Sequence, residues 1–318
     1  MRILKDKKIV IAGAGGIGLY FGGRLAQHGF NVFFLARGET KKLLKKHGLK
    51  IESINGDVEI KSVQVIDDPT TFGSVDFILV TVKTFQLEEI IPSLKPLVGP
   101  QTAIIPLENG IEAPNILGKN LGAEHVLGGL CMLSSFKTSP NSIKHVAINP
   151  SVTFGELQKP ISPRVKELQE ILEGAGVKTT ITDEFLVPYW TKMTFISTIG
   201  GVGAITRVPV GIFRSVPETR VLIENVINEI IAVAQKSGAN LVAKDTFEYT
   251  LKTIDNLAPQ TTASMQKDIM NNAPSELFEQ TGTIVKLAKE LGIDTPVNNF
   301  IFYSLLPSEL EARKKASR

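Results

Sequence analysis

The stretch Lys8-Ile9-Val10-Ile11-Ala12-Gly13-Ala14-Gly15-Gly16-Ile17-Gly18 decides the fold. A short apolar run rich in β-branched residues stops at Gly13-x-Gly15-x-x-Gly18. A helical pattern follows at once, with Leu19, Phe21, Leu25 and Ala26 as its apolar positions. This is the strand, tight turn and helix start of a dinucleotide-binding βαβ unit. Gly13 permits the turn, Gly15 lets backbone approach a pyrophosphate, and Gly18 lets helix and strand pack closely. Ala14, Gly16 and Ile17 fill the loop between them, and the free N–H groups of the helix start face the negative charge. The next strand, Asn31-Val32-Phe33-Phe34-Leu35-Ala36, ends at Arg37-Gly38. An NAD-binding unit places Asp or Glu roughly 20 residues past the glycines to bond the ribose 2′-OH. Arg37 cannot accept that bond but clamps a 2′-phosphate with a planar fork, which favours NADP(H) over NAD(H). The plainer alternative is a solvated arginine at a strand end.

Composition narrows the class. A chain of 318 residues suggests two domains, and its 43% hydrophobic and 21% charged residues are ordinary for a soluble globular protein. Net charge is +3 with both signs interspersed, so nucleic acid has little support as a partner. The densest basic patch, Lys41-Lys42-Leu43-Leu44-Lys45-Lys46, reads as the wet face of an amphipathic helix. The one cysteine, Cys131, lies in an apolar stretch and reads as core, and no intrachain disulfide can form. The four histidines are scattered without metal-ligand spacing, so no metal is expected. No signal-like start and no run of about 18 apolar residues is present, so the expectation is a cytoplasmic enzyme without a membrane span.

From residue 8 to about 110, strand-like runs alternate with helical segments, the sign of a parallel α/β sheet. Val75–Val82 reads as a strand ending at Lys83, and Thr102–Leu107 as the next, ending at Glu108-Asn109-Gly110. Val126–Leu133, Ser142–Ile148, Val152–Gly155 and Val177–Ile181 read as further strands completing the first domain, interrupted by a helix over Pro163–Glu173. Beyond residue 184 every segment carries helical spacing: Leu186–Ile199, Glu218–Ser237, Ala243–Asn256, Ser275–Leu291 and Pro296–Leu306. The expectation is therefore α/β, a Rossmann-type dinucleotide-binding domain over residues 1–183 followed by an all-α domain over 184–318. The strongly apolar helix through Leu222–Ile231 reads as core, with a homodimer interface as the alternative. Site residues are expected at strand ends in the first domain and on helix faces in the second.

Six segments stand in the order and approximate spacing of one family. They are Gly13-Ala14-Gly15-Gly16-Ile17-Gly18, Val80-Thr81-Val82-Lys83-Thr84-Phe85-Gln86, Glu108-Asn109-Gly110, Tyr189-Trp190-Thr191-Lys192, Ser264-Met265-Gln266-Lys267-Asp268 and Glu276-Leu277. From residue 8 to about 306 the chain resembles the ketopantoate reductase (2-dehydropantoate 2-reductase) family. The resemblance implies NADPH-dependent reduction of a 2-oxo acid to a 2-hydroxy acid, first of all 2-dehydropantoate to pantoate in pantothenate biosynthesis. It implies Lys192 as proton donor and Glu276 as the catalytic carboxylate that orients the lysine or the nicotinamide ribose. Ser264 falls where the substrate carboxylate is met, Asn109 where cofactor and substrate are both touched, and Lys83 beside both. Ser134 joins the cofactor-binding residues. Read alone, Lys83 and Lys192 pass for surface lysines and Ser264 and Glu276 for helix caps, with Ser275 a competing cap after Pro274.

The chain departs from the family pattern in its pocket. Two asparagines are expected four and eight residues after the lysine, on one helical face, and Ile196 and Gly200 stand there. A third falls at about Val210, and the acid expected two residues after the glutamate is replaced by Phe278. Ile196 and Gly200 thus line a more apolar substrate site, and the run Gly200-Gly201-Val202-Gly203 reads as extra room for a bulkier substrate or as close helix packing. Two alternatives follow: the same chemistry on a more apolar 2-oxo acid, or an NADP(H)-binding sensor without catalysis.

Overall fold

The computed structural model describes residues 2–157 and 160–316. It divides into two compact units. One holds the chain up to Glu108 together with Glu112–Phe185, and the other holds Asn109–Ile111 and the chain from Leu186.

After a short helical turn (Arg2–Lys5), the first unit runs through β1 (Lys8–Ala12), α1 (Gly16–Gln27), β2 (Asn31–Leu35) and α2 (Gly38–His47). A small hairpin follows, β3 (Leu49–Ser53) and β4 (Val58–Ile60), then β5 (Gln64–Val65), β6 (Phe77–Val80), α3 (Leu87–Leu94), β7 (Ala103–Pro106) and α4 (Ala113–Leu121). Five strands form a parallel sheet in the order β5-β2-β1-β6-β7. Its central strands are buried on both faces. Ile9, Ile11, Phe34, Phe77 and Leu79 pack into one core, and Val10, Ala12, Ile78, Val80 and Ile104 into another with Leu87, Ile91 and Leu117. That double burial is why these strands read as unbroken apolar runs.

Past residue 125 the expected strands are present and complete the first unit, but in a sheet of their own. The strands there do not extend the parallel sheet. β8 (Leu127–Ser139), β9 (Ser142–Glu156) and β10 (Lys178–Ile181), with α5 (Pro163–Gly174) between the last two, build a second sheet with β3 and β4. Ser142–Ile148 and Val152–Gly155 are one strand, not two. Residues 146–149 are exposed and Ile148 takes a left-handed φ of 64°, so the apolar alternation lapses although the pairing continues. The β3–β4 hairpin is absent from the sequence reading because its strands, of five and three residues, are too short for their alternation to stand out. Leu49, Ile51 and Val58 point inward, while Lys50, Glu52 and Glu59 are exposed.

The second unit is helical: α6 (Leu186–Thr206), α7 (Val210–Phe213), α8 (Pro217–Lys236), α9 (Ala243–Asp255), α10 (Ser264–Met270), α11 (Thr283–Leu291) and α12 (Pro296–Ala316), with a π-helical segment over Phe278–Gly282. α6 is apolar on nearly all sides, as a central helix must be, and α8, α10 and α12 pack against it. Its threonines are compatible with burial because Thr194 and Thr198 donate their hydroxyls to carbonyls one turn back, at 2.7 and 2.6 Å. Several helices differ from expectation: α6 continues past Ile199 to Thr206, α11 starts only at Thr283 after the π-helical segment, and the short α7 is unexpected. α10 is too short to show a period, and α12 runs through Pro307 to Ala316. Among the described residues no helix is long and apolar enough to cross a membrane, and no group of three His, Cys, Asp or Glu side chains is placed to hold a metal.

Candidate active site

In the first unit the site is made of backbone. Gly13 has φ +115°, and a Cβ there would meet the Val82 amide nitrogen at 2.8 Å. A Cβ on Gly18 would collide with the Gly13 carbonyl and lie 2.5 Å from Thr81 Oγ1. Gly15 faces the opposite situation: nothing lies within 4 Å of its Cβ position. Two glycines therefore close the turn and the middle one keeps its outer side open, which is the cradle a pyrophosphate needs. Thr81 ties the end of β6 to this loop, its N–H donating to the Ala12 carbonyl at 2.9 Å and its Oγ1 to the Gly13 carbonyl at 2.8 Å. Neither Gly15, the cap of α1, nor Arg37, the cap of α2, supplies a side-chain cap, so both helix starts keep their N–H groups for another acceptor. These residues fit a dinucleotide.

Arg37 lies at the end of β2 with its side chain mostly exposed and ion-paired with Glu89 of α3. Lys83 begins the short turn after β6, its N–H held by the Gln86 side chain at 3.1 Å. Ser134 sits at an irregularity of β8 opposite Ala147, whereas the next residue, Ser135, is the one beside the loop. A Cβ on Gly16 would meet the Ser135 carbonyl at 2.8 Å and its hydroxyl at 3.0 Å. Period-two spacing alone does not distinguish these two serines, because the bulges of β8 set which of them faces α1.

In the second unit the structure brings Asn109 and Glu276 together across 167 positions, the Asn109 amide donating to the Glu276 carboxylate at 2.9 Å. Gly110 has φ +98° and packs against the Glu279 carbonyl, where a Cβ would stand 2.9 Å away. These contacts explain why Asn109–Ile111 groups with the helical unit although it ends a first-unit strand. Glu276 is 2% exposed, and its segment is pinned by the C-terminal helix. The Glu309 carboxylate accepts from the Ser275 N–H and hydroxyl, and Arg313 donates to Glu309 at 2.6 Å and to the Ser275 carbonyl at 3.0 Å. Ser275 does not begin an α-helix; its hydroxyl accepts from the Leu277 N–H within the turn that leads into the π-helical segment.

Lys192 lies on α6, half-buried, and its ammonium makes no hydrogen bond or ion pair with a described residue. Ile196, one turn on, is half-buried on the same face. The room expected along Gly200–Gly203 is filled. A Cβ at Gly200 would meet Met265 Cε at 2.9 Å, one at Gly201 would meet Ile301 at 3.1 Å, and one at Gly203 would meet Gln266 Oε1 at 2.5 Å. These glycines seat α10 and α12 against α6, so the packing reading holds and the bulkier-substrate reading falls. Docking through Met265 and Gln266 also fixes where α10 presents Ser264, the exposed first residue of that helix. Val210 is buried core. Phe278 packs edge-to-face against Phe302 and lies under the Arg313 guanidinium, while the neighbouring Glu279 carries the acid. Burial pushes the Glu279 carboxyl above the usual carboxylate range, opposed by Arg313 and reinforced by Glu276.

Residues 9–159 match the family model described as "Ketopantoate reductase PanE/ApbA", and residues 184–307 match the model of that family's C-terminal part. The chain is similar to the 2-dehydropantoate 2-reductase of Nostoc sp., 26% identical over 312 residues that cover 95% of each chain. Among solved structures, the 2-dehydropantoate 2-reductase of Geobacter metallireducens superposes with a TM-score of 0.86 at 28% identity, covering 95% of this chain and 99% of that one. A D-mandelate dehydrogenase solved with NADH and anilino(oxo)acetate shares the fold, with a TM-score of 0.88 at 24% identity over 96% of this chain and 99% of the other. With both halves matched in order, the chain belongs to the ketopantoate reductase family, oxidoreductases acting on CH–OH groups, and carries its nucleotide-binding fold.

Proposed function

We propose that this protein reduces a 2-oxo acid to the 2-hydroxy acid with NADPH, with 2-dehydropantoate as the first substrate to test. The observation that carries the reading is the half-buried Lys192 ammonium, which no described acid neutralises. A partly desolvated cation without a partner is set to meet charge that develops only during reaction. When bound, NADPH supplies the hydride to the carbonyl carbon. Lys192 holds the carbonyl oxygen and gives it a proton as negative charge builds there, so C=O becomes CH–OH. Glu276 and Asn109 fix one another and present an acceptor and a carbonyl to the nicotinamide ribose and the substrate. Ser264, exposed at the start of α10, donates its hydroxyl to the substrate carboxylate. The glycine loop holds the pyrophosphate, Lys83 stands with the cofactor together with the β8 pair Ser134-Ser135, of which Ser135 borders the loop, and Arg37 meets the 2′-phosphate once Glu89 is displaced.

Ile196 favours a second substrate reading within the same chemistry. It places an apolar surface one turn from the proton donor, where a hydroxyl of the substrate would find no partner. Gly200 adds no polar group there. Turnover with 2-dehydropantoate, branched and aromatic 2-oxo acids separates the two. In the same assay, Lys192→Ala is expected to lower kcat by about a thousandfold with NADPH affinity retained. Unchanged kcat removes Lys192 from the chemistry.

A further inference from the structure

We propose that Lys137 is a specificity-determining residue of the dinucleotide site, holding the 2′-phosphate of NADPH beside Arg37. The proposal rests on the NADPH reading above and adds a residue to it. Ser135 and Lys137 pair with His145 and Ile143 in unbroken register, so both side chains leave the same face of β8. Ser135 lies against Gly16, at the start of α1. Lys137 reaches the start of α2, where its ammonium donates to Thr40 Oγ1 at 2.9 Å. One strand face thus borders both uncapped helix starts, the first serving the pyrophosphate and the second the end of the adenosine ribose.

Charge distinguishes Lys137 from its neighbours. Arg37 is paired with Glu89, and Lys41 and Lys45 are both paired with Asp67. Glu39, in the first turn of α2, forms no ion pair among the described residues. Among the described residues Lys137 meets a neutral hydroxyl and forms no ion pair, and the partial burial of its stem lowers its pKa. An exposed ammonium held beside the first turn of a helix, whose N-terminus favours negative charge, leaves a place for an anion. NADH brings none to this place. The 2′-phosphate of NADPH does.

The test measures binding rather than turnover. NADPH, NADH, 2′,5′-ADP and 5′-AMP are titrated into wild type, Lys137→Ala, Lys137→Arg and Arg37→Ala by calorimetry. Lys137→Ala is expected to weaken NADPH and 2′,5′-ADP about tenfold, the scale of one charge-assisted contact, and to leave NADH and 5′-AMP within about twofold. Lys137→Arg is expected to restore most of the loss. Equal weakening of NADPH and NADH, or no change in either, overturns the proposal while wild-type preference for NADPH leaves the cofactor reading standing. Wild-type protein that binds NADH as tightly as NADPH overturns the cofactor reading and the proposal together.

Discussion

Two glycine clusters of the same density behave in opposite ways. Around Gly15 the chain leaves the outer side of a glycine empty, while Gly13 and Gly18 close on their own backbone. Along Gly200, Gly201 and Gly203 every Cβ position is already taken by a side chain from another helix. In the first cluster the missing Cβ makes room for a ligand. In the second it makes room for Met265, Ile301 and Gln266 and so seats α10 and α12 on α6. A glycine-rich run is therefore no measure of pocket volume; what fills the space decides.

The comparison can be broken most forcefully at Gly18. Gly18→Ala drives a Cβ into the Gly13 carbonyl, an atom of rigid backbone, and is expected to cost more than about 3 kcal/mol of stability and to abolish nucleotide binding. Urea unfolding with an NADPH titration checks both. Gly15→Ala should separate the two effects. Its φ of −88° suits alanine and its Cβ position is open, so stability should stay within about 0.5 kcal/mol. NADPH and NADH affinity should both fall by about tenfold or more, because the added methyl stands where the pyrophosphate approaches. A Gly15→Ala protein that binds both normally would show that the open side is not the cradle.

Gly203→Ala acts through a side chain instead. The new Cβ displaces the Gln266 amide from the Val208 carbonyl, to which it now donates at 2.9 Å. A loss of about 1–3 kcal/mol is expected, with a raised KM for the oxo acid as α10 and Ser264 shift, and unchanged NADPH affinity. The smallest expected effect is electrostatic. Burial raises the Glu279 pKa, so the folded state binds that proton more tightly than the unfolded chain. This contribution to stability is full below the ordinary carboxylate range and is lost as pH rises through the raised value. Glu279→Gln should flatten that decline in a series of urea midpoints across acid and neutral pH.

Legibility in the sequence followed how local each cause is. The parallel sheet was readable because strands buried on two faces must be apolar throughout, as Phe77–Val80 and Ala103–Pro106 are. The second sheet was readable only in part: β8, β9 and β10 read as strands, but the short β3–β4 hairpin did not, and β9 read as two strands because it loses its alternation at 146–149. Lys192, Asn109, Glu276 and Ser264 stand out in sequence only as a series in order. The bond between Asn109 and Glu276 spans 167 positions, and nothing local to either encodes it.

By itself, the sequence determined the glycine turn, the arginine at the end of β2 and the change from strands to helices past residue 184. Each depends on which backbone angles, charges or burial period a short stretch of residue types allows. The tertiary structure alone decided that Gly200–Gly203 are filled, that Asn109–Ile111 joins the helical unit, and that Ser135 and Lys137 border two helix starts. Those outcomes depend on strand register and helix docking, and the neighbour that fills a space comes from elsewhere in the chain.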